Sequence, residues 1–252
     1  MPIGMPVPVT MVGRIDECLL LSYRVASEAV EHLVPTPLEL VTHKGFAFLN
    51  IVVCHIDRMR PRGVPAWGGV SYHHVAYRLM VRAQRGDGTA FRGLYFLRSD
   101  ADSGLVSWGG NLASEFRFNV AEVSLGMHDG VVSAAVRSRD GVGDASLEVD
   151  TKCSPELRED SIFETMELAR SVLKYAPMGL APRGGRKVAL AEVFRDELDW
   201  DERVVGVSEA RWAFFESLGE SVGIEPPVLE LATRVAPIDY RWRLGRTERV
   251  AG

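Results

Sequence analysis

Lysine is scarce in this sequence, and its scarcity limits the covalent chemistry open to the protein. The chain has 252 residues, of which 29 are basic, and arginine supplies nearly all of these. Lysine is the side chain that forms imines with carbonyl substrates. Amine chemistry therefore has four candidates, which are Lys44, Lys152, Lys174 and Lys187.

Cysteine is also rare, and its spacing excludes two common structural devices. Cys18, Cys54 and Cys153 are odd in number and far apart, whereas a disulfide framework or a zinc site needs cysteines at short, regular spacings. His55 and Asp57 share one strand face without a third ligand nearby, which is typical of a surface pair. We therefore expect free thiols, no metal site and a reducing compartment.

Long apolar stretches and basic runs are missing as well. No apolar run approaches the roughly 18 to 20 residues that cross a bilayer, and the N-terminus lacks the charged and apolar segments of a secretion signal. The net charge is −5 without any basic run, which argues against nucleic-acid binding. Phosphate-loop, dinucleotide-binding, serine-hydrolase and zinc-protease motifs are absent. We expect a cytoplasmic protein that needs no cofactor and binds neither membranes nor nucleic acid.

Turn residues dominate the first part of the chain. Asp87-Gly88, Asp129-Gly130 and Asp140-Gly141 each stand between apolar or alternating runs, and Asp-Gly suits the type I′ turn of a β-hairpin. Successive hairpins predict an antiparallel meander. The predicted strands are Cys18–Val25, Gly45–His55, Val70–Arg82, Ala90–Ser99, Glu115–Leu125, Val131–Val136, Ala145–Thr151, Arg186–Phe194, Val228–Val235 and Ile238–Leu244.

Two or three helices are expected among these strands. Ser27 can cap a short helix over Glu28–Val34. Ser161, with Glu164 at capping-box spacing, predicts a second helix, and Ser208 predicts a third. No repeat or linker divides the chain, so we predict one domain over residues 1–252. Its fold class is mainly β (α+β), an antiparallel bent barrel or sandwich with peripheral helices.

Three segments resemble a known superfamily. Leu19–Leu40 runs from an apolar strand through a short capped helix to a Pro-x-Pro turn, and Tyr72–Val81 and Gly93–Ser103 fit the same relatives. Together they resemble the acetoacetate decarboxylase-like superfamily, and most of all its YqjF-like branch. The resemblance implies a bent β-barrel with an internal pocket, and it favours a homo-oligomer.

The resemblance also implies pocket residues. Arg24 stands where an arginine of the decarboxylases binds the substrate carboxylate, and a guanidinium can fork onto a carboxylate. Arg78 matches an arginine common in YqjF-like proteins, whereas His74 replaces the glutamate four residues before it. A histidine there could move a proton near neutral pH, so His74 is the candidate catalytic residue. The Schiff-base lysine of the decarboxylases would fall within Asp102–Glu115, where this sequence has none.

The two faces of the strand Tyr72–Val81 receive conflicting predictions. By alternation alone, the more apolar face, which begins at His73, should point to the core and leave His74 and Arg78 outside. The resemblance instead places His74 and Arg78 in the pocket, with Tyr72 on the same face. On either interpretation His73 and His74 point to opposite faces and cannot bind one metal ion.

Three further residues complete the candidate ligand-binding set. Tyr95 could orient a ligand through its hydroxyl group, and Trp108 is expected to line the pocket. Arg98 is also a candidate, although pairing with Asp100 at the barrel rim would more often be structural.

Three hypotheses for the function follow. The first is a barrel that binds a small, anionic carboxylate or keto acid through Arg24 and Arg78 without forming an imine. The second is a lyase, isomerase or hydratase in which His74 is the acid-base and the arginines stabilise an enolate. The third is an oligomeric scaffold with a filled barrel. An open cavity favours the first two, and a dry, packed interior favours the third.

Overall fold

A computed structural model describes residues 9–114, 116–153, 156–174, 176–195, 200–222, 225–235 and 237–251. These residues form fifteen β-strands and four α-helices. The strands are β1 (Val9–Ala26), β2 (Glu39–Leu40), β3 (Thr42–His43), β4 (Phe46–Pro61), β5 (Val70–Gln84), β6 (Ala90–Ala101), β7 (Phe118–His128), β8 (Val131–Ser138), β9 (Ala145–Asp150), β10 (Met178–Arg183), β11 (Lys187–Arg195), β12 (Glu202–Val204), β13 (Gly206–Trp212), β14 (Val228–Val235) and β15 (Ile238–Arg249). The helices are α1 (Ser27–Val30), α2 (Gly104–Ala113), α3 (Met166–Val172) and α4 (Ala213–Val222).

Seven of the strands close into a barrel. The ring runs β1, β4, β5, β6, β10, β11 and β15, and β15 pairs with β1 to complete it. A closed sheet has no open edge within the ring and encloses a lumen. The mainly β barrel predicted from the sequence is therefore confirmed.

Two pairings are parallel, although the hairpin pattern predicts an antiparallel meander. Strand β6 pairs in parallel with β7 and with β10. Helix α2 joins β6 to β7, because parallel neighbours need a crossover connection. At the contact of β6 with β10, a Cβ on Gly93 would lie 2.5 Å from Leu180 Cγ. Glycine is thus needed there for the two strands to meet.

An arm of four antiparallel strands covers one side of the barrel. Strands β7, β8, β9 and β13 pair in this order. Val132, Leu147 and Trp212 of the arm share one core cluster with Ile51 and Tyr77 of the barrel. A second cluster lies on the opposite faces of the barrel strands and lines the lumen. Parts of β1, β4 and β5 are thus buried on both faces, and there the sequence is continuously apolar, as in Leu19–Leu21, Ile51–Val53 and Leu79–Val81.

The Asp-Gly turns lie where the sequence predicts them. Asp87-Gly88 lies between β5 and β6, Asp129-Gly130 between β7 and β8, and Asp140-Gly141 between β8 and β9. Asp129 has a φ of 50° and Gly130 a φ of 86°, the two positive angles that a type I′ turn requires. These three hairpin predictions are confirmed. Glu115, where one predicted strand begins, lies outside the described residues.

The helix predicted to start at Ser161 begins later. Helix α3 starts at Met166, and its N-cap is Thr165, whose hydroxyl accepts a hydrogen bond from Leu168 N at 3.1 Å. Ser161 does not cap a helix: its hydroxyl accepts from Phe163 N at 3.1 Å in a local turn and donates to the buried carboxylate of Glu230 at 2.6 Å.

The helix predicted after Ser208 is also displaced. Residues 206–212 form strand β13, which pairs with β9, and α4 begins at Ala213. The Ser208 hydroxyl donates to Glu148 O of the neighbouring strand, so tertiary pairing overrides the local capping signal. No helix among the described residues is both long and apolar enough to span a membrane. That the chain is one domain stays a prediction.

Candidate functional site

The lumen of the barrel contains a cavity of about 60 Å³. All seven strands of the ring contribute to its wall, together with Phe116 and Trp200. The wall is mostly apolar, and its polar side chains include Arg78, His74 and Arg195. A cavity of this size holds roughly four or five water molecules, so it suits a small metabolite rather than an extended ligand.

Arg78 lies in a polar row that crosses three strands. Ser22, Asn50 and Arg78 stand opposite one another on β1, β4 and β5. Arg78 Nη2 donates to Asn50 Oδ1, and Asn50 Nδ2 donates to Ser22 Oγ at 3.2 Å. The guanidinium carbon lies 5.7 Å from the centre of the Phe96 ring. Arg78 is only 3% exposed. These contacts hold its guanidinium in a defined orientation at the cavity wall.

His74 lies in a second row, four residues before Arg78 on the same face of β5. It stands opposite Cys54, which stands opposite Cys18, and all three line the cavity. Burial, with a smaller contribution from the charge of Arg78, lowers the pKa of His74 to about 3. His74 is therefore a neutral imidazole at pH 7. Its Nε2 is buried and has no hydrogen-bond partner within the described part of the chain.

The two cysteines of this row line the cavity but are not suited to act as nucleophiles. Cys18 and Cys54 are free and buried. Burial raises the pKa of Cys54 to about 12 and that of Cys18 well above its usual value. Both thiols are therefore protonated at neutral pH, and a neutral thiol is a poor nucleophile.

The conflict over the two faces of β5 has a simple resolution, because both faces are buried. Alternation alone would leave His74 and Arg78 outside, and that prediction is wrong, since each is 3% exposed. Val75 and Tyr77, on the other face, pack against the arm. Tyr72 is buried on the His74 side, with its ring centre 6.4 Å from the imidazole, but it is not among the cavity-lining residues.

Arg24 lies at the end of β1 and away from the cavity wall. Its Nη1 pairs with Glu230, and its Nη2 lies 3.3 Å from Asp160. The Glu230 side chain is fully buried. The structure thus gives Arg24 a carboxylate of the chain itself as its partner, rather than a place beside Arg78.

Tyr95 and Arg98 face away from the lumen. Tyr95 belongs to the core cluster on the other face, and its hydroxyl accepts a hydrogen bond from Arg117 at 2.8 Å. Phe96 stands opposite Arg78, but Arg98 stands opposite Tyr77, because the register shifts between them. Such a bulge moves the following side chains to the other face. Strict alternation along the strand would place Phe96 and Arg98 on one face, and it fails at this point.

Trp108 does not line the cavity. It lies on α2 and is 69% exposed. Leu105 and Leu112, three residues before it and four after it, are exposed on the same helix. Exposed apolar patches often mark interaction surfaces, and the expected homo-oligomer stays a prediction.

None of the lysines is near the cavity. Lys44, Lys152, Lys174 and Lys187 are all exposed. Lys44 pairs with Glu164 and donates to Ile162 O at 2.7 Å. The described residues that line the cavity thus include no amine.

More than half of the chain matches one protein family. Residues 13–173 match the DUF2071 family, described as "Uncharacterized conserved protein". The chain belongs to this family. The YqjF-like resemblance seen in the sequence is thereby confirmed. No curated protein sequence matches the chain.

Solved structures of acetoacetate decarboxylase-like proteins resemble this member of the DUF2071 family. Acetoacetate decarboxylase from Legionella pneumophila gives a TM-score of 0.59 at 12% identity, covering 100% of this chain and 92% of that one. An acetoacetate decarboxylase-like enzyme from Sphingomonas wittichii RW1 gives 0.57 at 13% identity, covering 97% and 93%. The enduracididine biosynthesis enzyme MppR, complexed with pyruvate, gives 0.57 at 15% identity, covering 98% and 91%. At these identities the likeness shows the fold.

Several residues in the cavity wall, or bonded to it, escape sequence reasoning in this family member. Asn50 could have been noticed, since it interrupts the apolar run of β4 and a buried amide needs a partner. Arg195 and Tyr240 lie on late strands with no motif to mark them. Among the described residues, no group of three or more His, Cys, Asp or Glu could hold a metal ion.

Proposed function

We propose that this protein binds a small carboxylate or keto acid in the barrel cavity, with Arg78 as the anion-binding group. The observation that carries the proposal is the position of Arg78, a buried guanidinium at the wall of a small, mostly apolar cavity. A guanidinium in a low-dielectric site attracts a carboxylate more strongly than one at the surface does. The proposed setting is the cytoplasm, where the three free thiols stay reduced.

The charge of the cavity supports an anionic ligand. Arg78 and Arg195 line it, and its described lining includes no acidic side chain. His74 adds a neutral imidazole, whose Nε2 can hydrogen-bond to a carbonyl or carboxyl oxygen according to its tautomer. The structure of MppR was solved with pyruvate, which makes a keto acid of that size a reasonable first ligand to test here.

The proposed binding does not involve an imine. A Schiff-base lysine must lie against the substrate and have a lowered pKa, and all four lysines of this chain are exposed. The proposal therefore departs from the lysine chemistry of the decarboxylases. With pyruvate and borohydride present, the intact mass of the protein should stay unchanged.

The test is a thermal-shift titration with acetate, pyruvate and acetoacetate. Wild type should be stabilised with the logarithm of ligand concentration once the site is occupied, by about 2.7 kcal/mol at a hundred times the dissociation constant. The Arg78→Ala variant should lose this response, because the anion loses its fixed guanidinium. Arg137→Ala, which removes an exposed arginine of β8, should respond like wild type. Absence of any shift in wild type, or an equal shift in Arg78→Ala, would contradict the proposal.

A second candidate function is proton transfer on the bound keto acid by His74. It is favoured by the neutral state of His74 and by its buried Nε2 without a partner in the described structure. A neutral imidazole can accept a proton, and the negative charge of a bound keto acid would raise its low pKa towards the operating pH. Arg78 beside it would stabilise an enolate. The filled-scaffold alternative is less favoured, because the lumen retains an unfilled cavity.

Exchange of the methyl protons of pyruvate in D₂O distinguishes binding from catalysis. Proton NMR should show exchange above the buffer rate with wild type, and about 10²–10⁴-fold slower exchange with His74→Gln. Ligand binding by His74→Gln, checked by thermal shift, should persist. Binding without accelerated exchange in wild type would leave the protein as a binder and refute the catalytic alternative.

A further inference from the structure

A groove rich in arginine lies on the surface beside the barrel cavity. Its volume is about 510 Å³, several times that of the cavity. Five arginines line it, and they come from four strands of the ring, β1, β4, β11 and β15: Arg14, Arg58, Arg60, Arg195 and Arg241.

The charge of the groove is opposite to that of the protein. Its five arginines are accompanied by two acidic residues, Asp57 and Asp239, so its formal net charge is five minus two, or +3. The whole chain carries −5. A concave surface of one sign concentrates ligands of the opposite sign, and here it does so on a protein that repels anions elsewhere.

The backbone of β1 and β4 is irregular at the groove. The register between these strands shifts between Val12 and Arg14, so two residues of β4 face Gly13. A Cβ on Gly13 would lie 3.2 Å from Asp57 O, and Arg58 has a φ of 47°. Bulges re-aim side chains and are common at barrel rims. The bulge accounts for the arginines of both strands lining one groove.

Acidic side chains compensate only part of the arginine charge. Arg14 lies 3.0 Å from Asp16 and 3.6 Å from Asp239. Arg60 instead donates to two neutral carbonyl groups, Arg58 O at 2.8 Å and Val64 O at 3.0 Å. Such bonds hold the side chain in place without neutralising it. Arg241 is exposed on β15.

The groove adjoins the cavity. Arg195 and Tyr240 line both spaces, so a ligand group bound in the groove is adjacent to the cavity wall. The Arg195 guanidinium stacks on Trp200, with 3.5 Å between its carbon and the ring centre. One ligand can therefore occupy both spaces, its small end inside and a larger, charged part outside.

We propose that the groove binds a diphosphate group, carried by an organic ligand whose small end enters the cavity. One carboxylate can form a bidentate pair with one guanidinium, whereas a diphosphate has enough oxygen atoms to pair with several guanidinium groups. The size of the groove and its +3 charge match the larger anion. The part of the inference that concerns the small end rests on the proposed function, and the part that concerns the groove does not.

Inorganic pyrophosphate is the probe, titrated calorimetrically at constant pH and ionic strength. We expect one saturable site per chain whose affinity falls with added salt. The Arg58→Gln/Arg241→Gln double variant should bind about tenfold more weakly, from two lost exposed charge contacts. Asp239→Asn should bind more tightly, because it removes a negative charge from the groove, and a gain cannot result from misfolding.

The matched control removes the same charge elsewhere. Arg137→Gln/Arg211→Gln changes two exposed arginines of the arm, on β8 and β13, and should bind pyrophosphate like wild type. If pyrophosphate affinity fell equally in both double variants, the effect would come from net charge alone and the proposed site would be refuted. Absence of pyrophosphate binding at low salt would refute it as well. Arg78→Ala should bind pyrophosphate normally. Loss of carboxylate binding with retained pyrophosphate binding, or the reverse, therefore separates the two proposals.

Discussion

Replacing Arg98 with alanine should lower the free energy of unfolding by about 3–5 kcal/mol. Arg98 Nε and Nη2 donate to the two oxygens of Asp100, both at 2.7 Å, and Nη1 and Nη2 donate to Asp140. The Asp100 side chain is fully buried. Without the guanidinium, this carboxylate keeps its desolvation cost and loses its compensating charge.

The surroundings of Asp100 leave little room for water to replace the guanidinium. A Cβ added to Gly143 would lie 2.6 Å from Asp100 Oδ2, so the arm backbone packs closely against the pair. Burial raises the pKa of Asp100, and Arg98 opposes that rise. In Arg98→Ala the carboxyl group should therefore become protonated at a higher pH, which moderates the loss of stability in acid.

Urea unfolding at pH 7 measures this effect, with two comparison variants. Asp140 is half exposed, so Asp140→Asn should cost at most about 1 kcal/mol. Arg137→Ala removes an exposed arginine from the arm and should be nearly neutral. If Arg98→Ala cost as little as these two, the pair would be well hydrated, and Arg98 would again be a candidate for binding a ligand.

The sequence predicts the barrel better than the roles of its polar residues. Asp-Gly turns and apolar runs are local signals, so the hairpins β5–β6, β7–β8 and β8–β9 could be predicted from them. The family resemblance predicted that the sheet bends into a barrel. The capping signals at Ser161 and Ser208 failed because contacts distant in sequence, with Glu230 and with strand β9, hold these two segments in non-helical conformations. Such contacts follow from the tertiary fold and have no local sequence pattern.

The candidate site divides in the same way. Arg78 and His74 line the cavity, as the resemblance implies, although alternation pointed the other way. Alternation assumes that one face of the strand is exposed to solvent, whereas in β5 the arm buries the face that does not line the lumen. Arg24 and Arg98 look equally suitable in the sequence, but each has carboxylate partners in the fold: Glu230 and Asp160, and Asp100 and Asp140. The sequence shows which residues are charged, but only the structure shows which oppositely charged residue each of them pairs with.

Replacing His74 with glutamine should flatten the loss of stability in acid. The pKa of His74 is about 3 in the folded protein and 6.5 in an unperturbed histidine. Between these values the unfolded chain binds a proton that the folded chain does not. The free energy of unfolding therefore falls as the pH falls from about 6.5 towards 3, by about 1.4 kcal/mol per pH unit. Above pH 6.5 both states are neutral at this position, and the penalty vanishes.

Urea unfolding at pH 7, 6, 5 and 4 of wild type and variant tests the slope. Other groups titrate in both proteins, so the difference between the two curves isolates His74 and should grow by about 2.5–3 kcal/mol from pH 6 to pH 4. His128→Gln, which changes a histidine whose side chain is 92% exposed, should run parallel to wild type. Parallel curves for His74→Gln would mean that folded His74 titrates normally.

Repeating the unfolding series with a bound carboxylate connects this slope to the proposed site. A carboxylate held by Arg78 would place a negative charge in the cavity that His74 lines, and such a charge raises the pKa of an imidazole. The ligand-bound protein should therefore lose less stability between pH 6 and pH 4 than the free protein, and His74→Gln should not show this difference. A ligand that stabilises both proteins equally at every pH would be bound away from His74. The acid slope thus reports on where the carboxylate binds, independently of whether any reaction follows.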